Sequence, residues 1–191
     1  YLKLDFLYSA ALPGRYHTPQ GREAAYRAAS QVIREAAGDE TYLLACGAPI
    51  IASVGIYDGI RVGPDVSGSW DNIDRTQHLN DRAGPGAADA ITTSLGRYWL
   101  ASLIDIDPDV AYFRSQYCLL TSEQKRYLAD LAHVCDFRAN SDLPAWLSPD
   151  ETQTMQRFLA ARPEIKQTGR YAFMLDDRRV DFTAIAAARP W

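Results

Sequence analysis

Thr41-Tyr42-Leu43-Leu44-Ala45-Cys46, followed at once by Gly47-Ala48-Pro49, is a short apolar run stopped by turn residues. A strand with one wet face alternates apolar and polar side chains, whereas a parallel strand covered on both faces is apolar throughout. The run has the second pattern and reads as an inner parallel strand. Upstream, Gln20 to Ala37 sets Ala25, Ala29, Val32, Ile33 and Ala36 at helical spacing, with Gly38 as the stop. Before it, Tyr1 to Tyr8 is again strand-like, so the first forty-odd residues read as strand, helix, strand.

The same alternation continues downstream. Ile56 to Val62 is a third strand, Ser67 to Gly86 a loop rich in Gly, Asp and Asn, and Ala87 to Tyr98 a helix. Leu100 to Ile106 reads as a fourth strand ending at Asp107-Pro108-Asp109. Thr121 with Gln124 three residues on is a helix start, and the helix carries Tyr127, Leu128, Leu131 and Val134. A short fifth strand is expected around Val134 to Arg138, before Asn140-Ser141-Asp142. Ser148-Pro149-Asp150-Glu151 then offers an N-cap, an N1 proline and an N3 acid, opening a helix to about Arg162. Past Pro163, Tyr171 to Leu175 and Val180 to Thr183 flank Asp176-Asp177-Arg178-Arg179 as a hairpin or exit strand. Repeated βα units of this kind make an α/β fold, either a run of strands from a (β/α)8 barrel or a doubly wound open sheet.

Composition narrows the function classes. The chain has 191 residues, 47% of them hydrophobic, and a net charge of -4 that is spread rather than clustered, which argues against nucleic acid as a partner. No apolar run reaches the roughly 18 to 20 residues of a bilayer span, so no membrane partner is expected. Because it opens at Tyr1 directly on an apolar strand, the chain is read as part of a longer polypeptide. Cys46, Cys118 and Cys135 lack CxxC spacing, and His17, His78 and His133 are far apart, so neither a metal nor any other cofactor is expected. Unpaired cysteines favour a cytoplasmic location.

Unusual polar residues recur at strand ends: Asp5, Cys46, Arg61 with Asp65, Asp107 with Asp109, and Asn140 with Asp142. An aspartate in such a place is more often a helix cap or a loop hydrogen-bonder than a catalyst, since those positions favour it anyway. In a barrel, however, all of these ends open on one mouth. Lys3 and Asp5 share one strand face and Leu2, Leu4 and Phe6 the other; the charged pair is expected to face inward, with Lys3 favouring the ionised form of Asp5. Two carboxylates across a mouth suit glycoside hydrolysis, one attacking the anomeric carbon and the other moving a proton. Trp70, in the loop beyond Asp65, is placed either to stack on a sugar face or to pack under the rim.

The stretches Leu2-Lys3-Leu4-Asp5-Phe6-Leu7-Tyr8, Leu43-Leu44-Ala45-Cys46-Gly47-Ala48-Pro49 and Asp58-Gly59-Ile60-Arg61-Val62-Gly63-Pro64-Asp65-Val66, in that order, resemble the melibiase-type α-galactosidases of glycoside hydrolase family 36. Asp107-Pro108-Asp109, Arg114, Leu120-Thr121 and Ser141-Asp142 extend the resemblance to about residue 160. It implies a retaining enzyme acting on α-galactoside oligosaccharides without a cofactor. Asp5 would be the nucleophile and Asp65 the acid/base, with Lys3, Cys46 and Arg61 lining the galactosyl subsite. It also implies that residues 1–165 hold strands four to eight of a (β/α)8 TIM barrel whose N-terminal half lies elsewhere. Residues 166–191 would then lead toward a further domain, and a homo-oligomer is compatible with this arrangement. Related α-glycosidase or galactosyl-transfer activities, or an inactive sugar-binding fragment, are the alternatives. One departure is Ile106, where the family usually has Asn.

Overall fold

The computed structural model describes residues 1–17, 19–72 and 84–188; His78 and most of the Ser67–Gly86 loop lie outside the described residues. The chain divides into two compact units, Tyr1–Val62 with Trp99–Ile106, and Gly63–Tyr98 with Asp107–Trp191.

The first unit is built on a four-stranded sheet of order β1 (Leu2–Leu4), β2 (Leu43–Ala45), β3 (Gly59–Arg61) and β4 (Asp105–Asp107). β1, β2 and β3 are parallel, with Leu4 opposite Ala45 and Ala45 opposite Ile60. α1 (Arg22–Ala37) is the crossover between β1 and β2, and the four-residue α2 (Ile50–Ser53) that between β2 and β3. β2 is buried at every position, as its unbroken apolar run requires. α1 ends where expected, at Gly38, whose φ of 75° is left-handed.

Arg34 ties the last turn of α1 to the entries of β2 and β3. Its guanidinium donates to Ile56 O at 2.9 Å, to Thr41 O at 2.8 Å and to Asp58 Oδ2 at 2.5 Å, and the same Asp58 oxygen accepts the Leu43 N–H at 2.7 Å. Burial alone would raise the pKa of Asp58, but the Leu43 N–H and the Arg34 guanidinium outweigh it and hold the carboxyl below its ordinary value.

The second unit contains α3 (Ala87–Gly96), α4 (Ser122–Val134), α5 (Pro149–Ala160), an antiparallel sheet of β5 (Ile165–Gly169), β6 (Ala172–Leu175) and β7 (Arg178–Asp181), and α6 (Thr183–Ala187). The expected starts of α4 and α5 are both capping boxes: Thr121 with Gln124, and Ser148 with Glu151 behind Pro149. α3 is buried from Ala87 to Leu95 on all sides. Phe173 of β6 is fully buried, and the rings of Tyr98 and Phe182 pack edge-on against it at 5.0 and 6.3 Å. Arg178 of β7 forks onto the buried Asp130 of α4 at 2.9 and 2.5 Å.

Three expected elements differ. Leu100–Ile106 is not one strand: Tyr98–Ser102 is a 3-10 turn and β4 starts at Asp105. Burial explains it, because Leu100 and Ile104 are inside while Trp99 and Leu103 are exposed, a spacing of a helical turn rather than an alternation. The strand expected at Val134–Arg138 is absent. Val134 is the last residue of α4, Asp136 turns left-handed at φ 49°, and the Phe137 N–H closes the helix end on Ala132 O at 3.0 Å. A single parallel bridge between Ala111 and Asn140 takes its place. In the last sheet the turn is Asp176-Asp177, and Arg178 and Arg179 belong to β7.

Replacing Arg34 by Met is expected to cost about 1–2 kcal/mol, since it strands the Ile56 and Thr41 carbonyls together with Asp58. Asp58→Asn destabilises in the same direction, with a set pH dependence. The folded pKa lies below the unfolded value of about 3.9, so the contribution is complete above that value and is lost as pH falls through the folded one. Urea denaturation at pH 7 and at pH 3 checks this: the deficit of Asp58→Asn should shrink on acidification.

Candidate active site

In-register parallel pairing carries Asp5, Cys46 and Arg61 to one end of the sheet. Leu4, Ala45 and Ile60 lie abreast, so the next residue of each strand is Asp5, Cys46 and Arg61 respectively. Residues abreast in a parallel sheet share a face, and neighbouring strands are about 4.8 Å apart. Lys3, two residues before Asp5, points to the same side. Four of the sequence candidates, Lys3, Asp5, Cys46 and Arg61, are therefore neighbours by construction.

The chain is gripped just beyond these ends. Cys46 N–H donates to Leu4 O at 2.8 Å, Leu7 N–H to Cys46 O at 3.3 Å and Tyr8 N–H to Gly47 O at 2.6 Å, which prolongs the β1–β2 pairing through the site. Phe6 adopts left-handed dihedrals, φ 54° and ψ 30°, unusual for a bulky residue and costing about 1 kcal/mol. That turn lets the Phe6 N–H fold back onto Asp5 Oδ1 at 2.7 Å. Gly47 lies against Phe6 and Tyr8 with a φ of 54°, a conformation that favours glycine.

Asp5 is held below the ordinary carboxylate range first by the Cys46 thiol, against a burial contribution that raises it, and then by the Phe6 N–H, Lys3 and Arg61. The thiol is pushed up to about 11 by burial and by Asp5, so near neutrality it remains S–H and acts as a donor. Lys3 and Asp5 are exposed. The ionised state of Asp5 follows from hydrogen bonds and neighbouring cations rather than from relief of a burial penalty. Arg61 is buried, with 8% of its surface accessible.

Asp65 and Trp70 belong to the second unit, on the segment that leads into α3. Asp65 is exposed and Trp70 half-buried. The backbone around Asp65 is clamped: Asp65 O accepts the Gly86 N–H at 2.9 Å, the next residue, Val66, donates its N–H to Asp109 Oδ2 at 2.7 Å, and Val66 O accepts the Tyr112 hydroxyl at 3.3 Å. Asp109, itself left-handed at φ 79°, is fixed by donating its N–H to Asp107 Oδ1 at 2.7 Å. Trp70 and Ser69 carbonyls receive the N–H groups of Ala88 and Ala87 at 3.1 Å each, so the Trp70 backbone closes the first turn of α3.

The other strand-end acids thus position loops. Asp142 has no exposed side-chain surface and collects the Phe113 N–H at 2.6 Å, the Arg114 guanidinium at 2.7 Å and the Asn140 amide at 2.9 Å. Sequence reasoning singled out Asp107, Asp109 and Asp142 by place but could not assign Val66 to Asp109 or Phe113 and Arg114 to Asp142, which come from distant segments. It also missed the Cys46 thiol as a partner of Asp5. The signal was available, since a one-residue extension of the strand pairing sets them side by side. Among the described residues no three His, Cys, Asp or Glu side chains converge as a metal site, and no helix is long and apolar enough to cross a membrane.

No protein-family model matches the chain. Among solved structures it is similar to an α-galactosidase from Thermus thermophilus in complex with p-nitrophenyl α-D-galactopyranoside, at 46% identity and a TM-score of 0.89 over 97% of this chain and 37% of that one. A structure of the same enzyme in complex with stachyose gives 51% identity and a TM-score of 0.77, over 84% of this chain and 34% of that one. The chain therefore spans little more than a third of the length of the structures it matches. By sequence and by fold the chain resembles one part of an α-galactosidase of glycoside hydrolase family 36.

Proposed function

We propose that the protein is a retaining α-galactosidase and that residues 1–165 supply strands four to eight of its (β/α)8 barrel, with residues 166–191 leading toward a further domain. The observation that carries the reading is the row of Asp5, Cys46 and Arg61 at three adjacent strand ends, with Lys3 on the same face, in a chain 46% identical to an α-galactosidase. β1 is an edge strand of this sheet, and Tyr1, Leu2 and Phe6 on and beside it are exposed, which fits a continuation of the barrel on that side. Activity is accordingly assigned to the natural full-length protein.

In this reading the Asp5 carboxylate attacks the anomeric carbon of a terminal α-galactoside while Asp65 gives its proton to the departing glycosidic oxygen. A galactosyl ester on Asp5 results. Asp65, now a carboxylate, takes a proton from water, the water oxygen attacks the anomeric carbon, and Asp5 leaves with its electron pair. Two inversions give net retention. Such a mechanism asks for carboxyl groups roughly 5 to 5.5 Å apart. Lys3, Cys46 and Arg61 hold the galactosyl hydroxyls, and Trp70 offers a ring to the sugar. The unpaired cysteines fit a reducing, cytoplasmic compartment.

Asp5→Asn should abolish turnover of every α-galactoside, whereas Asp65→Ala should lower kcat/KM about 10²–10⁴-fold on an oligosaccharide and far less on an aryl galactoside whose leaving group needs no proton. Equal losses on both substrates in Asp65→Ala would exchange or cancel these roles. The Cys46 thiol gives a second expectation. Removing a donor that lowers the pKa of Asp5 raises that pKa, so in Cys46→Ala the acid limb of kcat/KM against pH should move to higher pH. In Cys46→Ser, which keeps a donor, it should stay near wild type; indistinguishable profiles for the two variants would contradict the assignment.

A further inference from the structure

The second unit carries an aromatic surface that its own packing leaves open. Tyr117 is 72% exposed and its backbone is left-handed at φ 55°, which a tyrosine seldom adopts without a reason. Its ring stands edge-on to Trp146 at 5.2 Å. Behind Trp146 lies the Arg114 guanidinium, 5.2 Å from that ring and 4.4 Å from the Tyr112 ring, and Arg114 is anchored on the wholly buried Asp142. The exposed ring is thus the outer member of a stack that begins at a buried ion pair. Leu119, 84% exposed, extends the surface.

The location of this surface gives it a meaning. Leu119 N–H donates to Gly68 O at 2.7 Å, and a Cβ on Gly68 would stand 3.4 Å from Tyr117 O. The platform is therefore tied to the segment three residues beyond Asp65, the residue assigned to protonate the leaving-group oxygen. In the reading above the leaving group departs on the side of that carboxyl, so a ring held on the same segment is placed to meet it.

We propose that Tyr117, backed by Trp146 and flanked by Leu119, is the stacking surface for the leaving-group sugar of an oligosaccharide substrate. The inference rests on the α-galactosidase reading above. A flat, rigid ring suits the C–H face of a pyranose, and holding it out costs no side-chain ordering at the moment of binding.

The test compares two donors in the natural full-length protein: raffinose, whose leaving group is a sugar, and α-galactosyl fluoride, whose leaving group has no ring. Tyr117→Asn removes the ring while tolerating the left-handed backbone, and Tyr117→Phe keeps the stacking face. The expected result is a roughly fivefold to tenfold fall in kcat/KM on raffinose for Tyr117→Asn, carried by KM, with the fluoride within about twofold of wild type and Tyr117→Phe unchanged on both. Equal falls on both donors would mean that the ring only supports the fold or a neighbouring part of the protein, and no fall on either would mean that it binds nothing; both overturn the proposal. A wild type that cleaves neither donor would defeat the underlying α-galactosidase reading, which this comparison separates from failure of the platform alone.

Discussion

The parallel register of β1, β2 and β3 is the constraint on which the site depends. With Leu4 opposite Ala45 and Ala45 opposite Ile60, the side chains one step further along must emerge together on one face. A slip of one residue in β1 would turn Asp5 to the other side of the sheet and set Phe6 against Cys46. β2 is apolar and buried at every position, and Arg34 ties α1 and Asp58 to the entries of β2 and β3. The chemistry at one end of these strands is therefore underwritten by packing and hydrogen bonds at the other.

The second unit applies a different device to a similar end. Asp107, Asp109 and Asp142 are buried there; Asp109 and Asp142 take backbone N–H groups from segments far away in sequence, and Asp107 takes that of Asp109, two residues on. A buried carboxylate is tolerable when its lone pairs are filled by donors, and a loop so gripped loses the freedom that loops ordinarily keep. Asp65 gains a fixed backbone this way while its side chain stays exposed, a combination that suits the proton-transfer role proposed for it.

Much of this was legible before the structure. Capping boxes at Thr121 and Ser148 are local, and a local pattern carries its own partner within four residues. The continuous apolar run at β2 specified a covered parallel strand for the same kind of reason. Errors arose where an apolar run had two explanations. Leu100–Ile106 has strand composition, but its buried positions are a helical turn apart, and Val134–Arg138 was consumed by the end of α4. Partners that meet only through tertiary structure, such as Asp109 with Val66 or Asp142 with Arg114, leave no trace in spacing. For Lys3 and Asp5, alternation says that they share a face and not what covers that face.

Trapping the covalent intermediate tests the central assignment most directly. The natural full-length protein would be inactivated with a fluorosugar α-galactosyl donor that forms the glycosyl ester faster than it hydrolyses, then digested and sequenced by mass spectrometry. The account predicts one label per chain, on the peptide that contains Asp5 and at that carboxylate. A label on Asp65 or on any other residue, or rapid turnover with no ester formed, would contradict it.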